Sequence, residues 1–560
     1  MKQQRENCKN CGIDFEISIQ DAAFYTRMAV LRPTHCYLCR MQRRLAYRNE
    51  RFLYHRKCDL SKKQIISSFS LDKPFPVYDN EVWWSDDWSA LSYGRDFDFT
   101  RPFFDQFFEL RDRVPRLALQ QQKPMENSRY CNCASRNRNC YLVFSTNECE
   151  DCYYGSWVNN SRNCIDNLNI EHCELCYECV GCVGCYTLLY SRDCIDCSDS
   201  YFLRDCLGCR YCFGCSSLVN REYCFFNEQL SESEYKERVA ALDLGSRSVI
   251  EYLKNEIPLA LGPSIVKSIH GARIENSSGD YLTNCKGALN CFECDSCEDL
   301  SYCMCVQNAK SCMDFSYWGG NAELIYESQA CGYDIFNLRF CNLCWSGCSD
   351  LTYSDHCFAS KNCFGCVGLK REKYCILNKQ YTPEAYSDLS AKIVEHMKET
   401  GEWGEFFPVS KSIYAYNETL AYEQIPVLRE VVLKKGWTWI DSTQRSQGSY
   451  IGPDVALPEN ISELDDAVCS KILHCKASNK AYKIIPQELD FYRKLNVPPP
   501  ELCPDERHLR RLSLRNKRAM WNRECASCND PIETTYSPDC EEKVYCEPCY
   551  RDFVYGANES

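Results

Sequence analysis

With 560 residues, 45% of them hydrophobic, the chain has material for several packed domains and is not a disordered polymer. A net charge of −13 argues against a protein coated in nucleic acid, although basic segments stand out locally. The 46 cysteines leave two classes: a secreted disulfide scaffold, or an intracellular protein that keeps its thiols free or on metal. Residues 1–10 are polar and already contain Cys8, with no apolar signal-peptide core behind them, and no run approaches the roughly 18 apolar residues of a membrane span. The expectation is a cytoplasmic, mostly reduced protein without membrane insertion.

The two ends repeat one another. Residues 8–82 and 475–549 match at a constant shift of 467 positions without a gap. Phe24-Tyr25 falls on Phe491-Tyr492, Arg48-Asn49 on Arg515-Asn516, and Val77-Tyr78 on Val544-Tyr545. Each copy has room for two ribbon-like metal sites. In the first copy the upstream site is complete: Cys8, Cys11, Cys36 and Cys39 form two Cys-x-x-Cys pairs, the spacing that lets two turns place four thiolates around one tetrahedral zinc at about 2.3 Å. Its downstream site keeps Cys58 but has Ser61, Asp79 and Val82 at the other positions. The last copy inverts this. Ser478 and Glu506 replace partners of Cys475 and Cys503, while Cys525, Cys528, Cys546 and Cys549 are complete. Two structural zinc ions are therefore expected, since four thiolates leave no open position for a catalytic water.

Behind the first site comes a basic segment, Arg40, Arg43, Arg44, Arg48 and Arg51, echoed by Arg507, Arg510, Arg511, Arg515 and Arg518. Spacings of three and four gather these arginines on one side of a helix. That face suits phosphate, because guanidinium forks bond it bidentately, so nucleic acid is an open partner. The competing reading pairs the same arginines with carboxylates, or stacks them on Tyr25 and Tyr47, to brace the ribbon. An aromatic connector follows, with a helix capped by Thr100 that carries Phe104, Phe107 and Phe108. It is expected to seat the ribbon on the first solenoid.

Between residues 131 and 224 marker cysteines recur with steps of 9 and 12, a total period of 21, and many follow an Asn or Asp, as in Asn163-Cys164, Asp193-Cys194 and Asp205-Cys206. A fixed period near 20 predicts stacked coils, a right-handed parallel β-helix with cysteine ladders inside. The segment ends with a capping box, Ser231-x-x-Glu234, and the same ending returns 151 positions later with Thr382-Pro383-Glu384. So there are two solenoids, the second with a cysteine-free middle at 317–327. The third-position runs Cys173, Cys176, Cys179, Cys182, Cys185 and Cys206, Cys209, Cys212, Cys215 admit three roles. They can be small packing residues, thiolates collected at one corner for further zinc or an iron–sulfur cluster, or redox thiols.

The expected architecture is mainly β with a small α content: two tandem parallel β-helix segments flanked by zinc-ribbon-like domains. Its parts are a ribbon domain at 1–82, the connector at 83–126, a solenoid at 127–230, a helix and linker at 231–280, a second solenoid at 281–381, a helix and connector at 382–457, and the second ribbon domain at 458–560. The connector before the last ribbon contains a helix capped by Asn417, interrupted at Pro426 and stopped at Gly436. The blocks RRLAYRN, YCILNKQYTPEAY, WGEFFPVS, IIPQELDFY and TTYSPDCEEKVYCEPCY resemble those of a group of uncharacterised cysteine-rich zinc-ribbon proteins of candidate-phylum bacteria. The resemblance spans nearly the whole chain and implies zinc binding but no reaction. No P-loop, dinucleotide fingerprint, zinc-protease helix or carboxylate-pair motif occurs. The expectation is a non-enzymatic scaffold or binding protein with a protein partner; the alternatives are a nucleic-acid binder and a thiol redox or metal-storage protein.

Overall fold

A computed structural model describes residues 4–298, 301–304, 327–328, 330–331, 343–345, 347–441 and 455–556. It is mostly β with few helices, and its centre is a β-solenoid of about 18 turns. No helix among the described residues is long and apolar enough to cross a membrane.

The turn of the first solenoid is 12 residues, not 21. Parallel bridges link Arg138 to Glu150, Glu150 to Arg162, and Arg162 to Glu174, each one coil further along the stack. Each coil has four sides of three residues. The third residue of every side takes a left-handed conformation: Asn160, Asn163, Asp166, Asn169, His172, Leu175 and Glu178 all have φ between 48° and 56°. Asn, Asp and Gly tolerate that region best, which is why they precede so many cysteines. The residue after each corner points inward. Cys140, Cys152, Cys164 and Cys176 therefore stack on one wall, Cys173, Cys185, Cys197 and Cys209 on the next, and Cys182, Cys194 and Cys206 on a third, all buried. The expected ladders exist; the 21-residue spacing is one full turn plus a nine-residue diagonal to the neighbouring wall.

A bore only four short sides wide admits small side chains and leaves inward carbonyls to satisfy. Cysteine serves both needs, since its S–H is a weak donor. The Cys173 thiol reaches the Cys182 carbonyl at 3.5 Å and the Cys185 thiol reaches the Cys194 carbonyl at 3.5 Å. Where the wall carries Asn167, its amide does both jobs, donating to the Cys176 carbonyl and accepting from the Cys179 N–H. The corner conformation makes a specific demand. Asn163→Val will loosen its coil by about 1–2 kcal/mol because a β-branched residue resists φ > 0, whereas glycine there is tolerated. Slow hydrogen exchange of the amides in adjoining coils is the readout, and unchanged protection would contradict it.

Coil stacking begins at Gln121–Gln122 in the first solenoid and at Gly271–Glu275 in the second. In the second solenoid Lys361 pairs with Lys373 on the same 12-residue step. The cysteine-free stretch 317–327 lies, Glu327 apart, outside the described residues. Helices form at both expected endings. Glu232–Ala240 starts on a complete Ser231/Glu234 capping box, and Pro383–Glu399 starts on Thr382.

Three local expectations change. The aromatic connector seats on the second solenoid, not the first. Phe103 packs edge-on to Phe364 at 5.3 Å and Phe107 stacks on Phe407 at 4.9 Å, because the coils that end near Phe364 and Leu377 expose an apolar face that these rings cover. Its helix, Phe103–Arg111, begins after Pro102, whose fixed φ suits helix entry, rather than at Thr100. Near the chain's last quarter Leu420–Gln424 starts from Thr419, since Asn417 is occupied elsewhere by bonds to the backbone of Ile440.

The ribbon domains repeat element for element. Hairpin Tyr54–Lys57/Gln64–Ser67 corresponds to Trp521–Glu524/Pro531–Thr534, and helices Ile19–Arg27 and Tyr37–Leu45 correspond to Pro486–Leu495 and Pro504–Ser513. Each domain also closes onto a strand at the entrance of a solenoid: Val77–Tyr78 pairs with Arg116–Leu117, and Lys543–Tyr545 pairs with Ile265–Lys267.

Candidate metal centres

The first centre joins a hairpin to a helix start. Strands Gln4–Asn7 and Asp14–Ile17 turn through Cys8 and Cys11, while Cys36 and Cys39 enter at the head of helix Tyr37–Leu45. One sulfur from each lies within 4.8 Å of the others. Cys11 and Cys36 sulfurs are 3.8 Å apart. A tetrahedron with about 2.3 Å metal–sulfur bonds has edges of about 3.8 Å, so the group fits one metal ion. The Asn10 amide donates to Cys39 sulfur at 3.2 Å, which steadies a thiolate. Burial pushes the Cys8 thiol up, but the N–H groups of Cys36, Cys11 and Asn10 bring it below its ordinary value.

The second centre is the same device at the other end. Cys525 and Cys528 sit at the turn of hairpin Trp521–Glu524/Pro531–Thr534, and Cys546 and Cys549 at the head of helix Glu547–Gly556. The Cys528–Cys546 sulfur distance is 3.7 Å. Burial raises the Cys525 thiol, yet backbone N–H groups of Cys528, Cys546 and Ser527 bring it down to about 6. Both tetra-cysteine groups can hold a metal ion.

The two incomplete sites keep their geometry without their ligands. Ser478 stands where Cys11 stands and its hydroxyl lies 3.7 Å from Cys503 sulfur. The Asp79 N–H donates to Cys58 sulfur at 3.3 Å, as the Cys546 N–H does to Cys525 at 3.3 Å. Hydrophobic packing surrounds the cysteines that remain: Cys58 is buried with Phe69, Phe75 and Trp83, and Cys475 with Leu473 and Tyr482.

The solenoid runs are arranged differently. Consecutive members of Cys173, Cys176, Cys179, Cys182, Cys185 and of Cys206, Cys209, Cys212, Cys215 lie on successive walls, not at one corner. Among the described residues the sulfur clusters with metal-site geometry are the two at the ends. All cysteines with described side chains are free thiols. Burial raises Cys194 and Cys179 well above the ordinary thiol range, while hydrogen bonds from neighbouring thiols lower Cys176 and Cys182.

The arginine helices form, but they face inward. Arg40, Arg43, Arg44, Arg48, Arg507 and Arg511 are buried. Arg515 is half-buried, and Arg510 is the exposed one of these eight. Arg43 bonds Glu327 at 2.6 Å and Glu405 at 2.9 Å, and Arg40 lies over the Tyr302 ring at 5.3 Å. Further along, Arg48 bonds Glu50 at 2.6 Å and Ser145 at 3.1 Å, and Arg51 reaches Ser156 at 2.9 Å. The other copy does the same with the solenoids exchanged. Arg507 lies 4.4 Å over the Tyr154 ring and shares Asp166 with Arg511, while Arg515 and Arg518 clamp Glu293. Each arginine segment thus starts on the solenoid distant in sequence and finishes on the nearer one. The arginines do stack on rings, but on Tyr302, Phe406 and Tyr154, not Tyr25 or Tyr47. Sequence reasoning missed most of their counter-ions because Glu327, Glu405, Asp166 and Glu293 lie hundreds of positions away and carry no local signature.

A cleft of about 860 Å³ opens between the first solenoid, helix Arg247–Leu261 and the Pro498-Pro499-Pro500 turn of the last ribbon. Tyr190, Phe202, Lys254, Glu501 and Arg510 are among its walls. Compared with protein-family models and with curated proteins, the sequence matches none.

Proposed function

We propose that this chain is a zinc-stabilised, non-enzymatic scaffold that binds a protein partner, with one zinc ion in each tetra-cysteine group. The observation that carries the reading is the closed character of those groups. Four sulfurs at tetrahedral spacing leave no position for water or substrate, so the ion holds structure and activates nothing. The free, buried thiols of the coils suit a packed, reduced interior in the cytoplasm. The cleft beside Tyr190 and Arg510 is concave, mixed in polarity and large enough to take a peptide segment, and on this reading it is the partner's seat. Burial of the arginine face favours this over nucleic-acid binding, because a phosphate contact needs those guanidinium groups in solvent.

The test is metal content together with spectrum. Cobalt-substituted protein should show intense thiolate-to-cobalt charge transfer, and Cys528→Ser should lower total zinc by one equivalent per chain and leave the first site filled. A zinc content unmoved by Cys528→Ser, or iron in place of zinc, would remove the reading.

A further inference from the structure

Where the two solenoids meet the last ribbon, three carboxylates converge on one histidine. Asp193 and Asp205 occupy the same corner of adjacent coils, with φ of 55° and 53°. His270 lies just ahead of the first strand of the second solenoid. Its Nε2 is 3.6 Å from Asp205 Oδ1 and 3.9 Å from Asp193 Oδ2, and the Tyr536 hydroxyl of the last ribbon is 3.2 Å away. Its Nδ1 is 2.9 Å from Asp280 Oδ1. One ligand atom each from Asp193, Asp205 and His270 falls within 4.8 Å of the others. The side chains of His270, Asp193 and Asp205 are 11%, 3% and 8% exposed.

The internal duplication shows that the fold does not need this chemistry. In the other half, four residues past the equivalent strand pairing, Gln120 stands in the place of His270 and Asn132 in the place of Asp280. The Gln120 N–H donates to Asn132 Oδ1 at 2.9 Å, as the His270 N–H donates to Asp280 Oδ1 at 2.7 Å. Phe69 replaces Tyr536 there, and His356 replaces Asp205. The same backbone junction thus closes with an amide pair in place of the His270–Asp280 pair, and the His356 beside Gln120 is bonded to a single carboxylate, Asp355, which Arg116 offsets. Charge points the same way. Against three carboxylates stand Arg192, which bonds Asp193 at 2.8 Å, and Arg204, which is 3.5 Å from Asp205 and shared with Glu542. With a neutral imidazole the junction keeps surplus negative charge in a buried place, which is costly unless a cation or a proton offsets it.

We propose that Asp193, Asp205 and His270 form a third metal centre that takes one divalent transition-metal ion through a nitrogen–oxygen ligand set, with Asp280 orienting the imidazole. A carboxylate on the far nitrogen is what metal-bound histidines usually have, since it fixes the tautomer that leaves Nε2 free to ligate. Two carboxylates and an imidazole suit manganese, iron(II) or zinc, not a soft ion. The separations of 3.6 and 3.9 Å exceed the edge of about 3.4 Å for a tetrahedron with bonds of about 2.1 Å by a few tenths of an ångström, a contraction that side-chain rotation supplies. The Tyr536 hydroxyl faces the remaining side. Such an ion ties together the first solenoid, the second solenoid and the last ribbon, and it is distinct from both thiolate centres.

Elemental analysis of the full chain, purified from cells grown with added zinc or manganese, tests this. The expected total is three equivalents, falling to two in the His270→Gln/Asp280→Asn double variant, which copies the Gln120–Asn132 pair and so preserves the junction. Asp205→Asn should lose the same equivalent, and growth in manganese should exchange that ion alone. A total of two in the unaltered chain means that a proton on His270 does the work, and it overturns the proposal. A third equivalent that survives in the double variant overturns it as well.

Discussion

Stripping the metal from the two end centres will unfold residues 4–17 and 521–556 and leave the incomplete sites and the coils standing. The intact knuckles have little else to hold them. The first is buried with only Phe15 and Leu38 around Cys8, Cys36 and Cys39, and the second ribbon's outer cluster is Val266, Tyr536 and Val544 with Ile532 and Cys540 packed against it. Apolar groups so few contribute a handful of kcal/mol, whereas a structural zinc supplies about 10–16 kcal/mol of apparent binding free energy. The incomplete sites are the opposite case. Cys58 and Cys475 lie within aromatic and aliphatic clusters that continue into the rest of the molecule, so hairpins Tyr54–Lys57/Gln64–Ser67 and Leu473–His474/Ala481–Tyr482 hold without an ion. Hydrogen exchange before and after chelation under reducing conditions distinguishes the four hairpins. Protection should collapse in the two complete ones and persist in their copies and in the amides of 140–224. Equal loss in all four would show that the degenerate sites still depend on metal.

That asymmetry was half legible in the sequence. The 467-position shift located both complete sites and both broken ones, and the Asn or Asp before many of the cysteines announced a corner, because a left-handed backbone favours Asn, Asp and Gly whatever the wider fold. The capping box at Ser231 and the Thr382-Pro383 helix start were equally local and equally readable. The coil length was not. Sides of three residues make every multiple of three a candidate repeat, and cysteines chosen for bore size and for a nine-residue diagonal hydrogen bond mark 9 and 12 alike. Only the outward residues, bridged at 12, separate the turn from the diagonal. The inward turn of the arginine helices was hidden for another reason. Nothing near Arg43 or Arg507 in the chain distinguishes a solvated basic face from one neutralised by Glu327, Glu405 or Asp166, which arrive from other domains. The His270 junction was hidden in the same way: Asp193 and Asp205 looked like turn residues alone until a 12-residue coil stacked them.

Asp166→Asn will release the last ribbon from the first solenoid at a cost of about 3–5 kcal/mol, the penalty of leaving buried charge uncompensated. Asp166 sits fully buried at a left-handed corner and accepts from Arg511 at 2.8 Å and from Arg507. Asparagine keeps the corner conformation and nearly the volume, so the change removes charge and little else. Two guanidinium groups are then left with Glu488, which lies 3.2 Å from Arg507 and already serves Tyr154 and Tyr492. Arg43 provides the contrast. It has both Glu327 and Glu405, so Glu405→Gln leaves one strong partner and should cost less than half as much. A double-mutant cycle separates charge from packing. If the lost ion pair is the cause, Arg511→Met should be much less harmful in the Asp166→Asn background than in the unaltered chain, with a coupling of about 1–3 kcal/mol in urea unfolding followed by Trp and Tyr fluorescence. Additive effects would mean that the arginine helix is held by ring stacking on Tyr154 and by the apolar contacts of Tyr492 and Leu489, and that its charge is incidental.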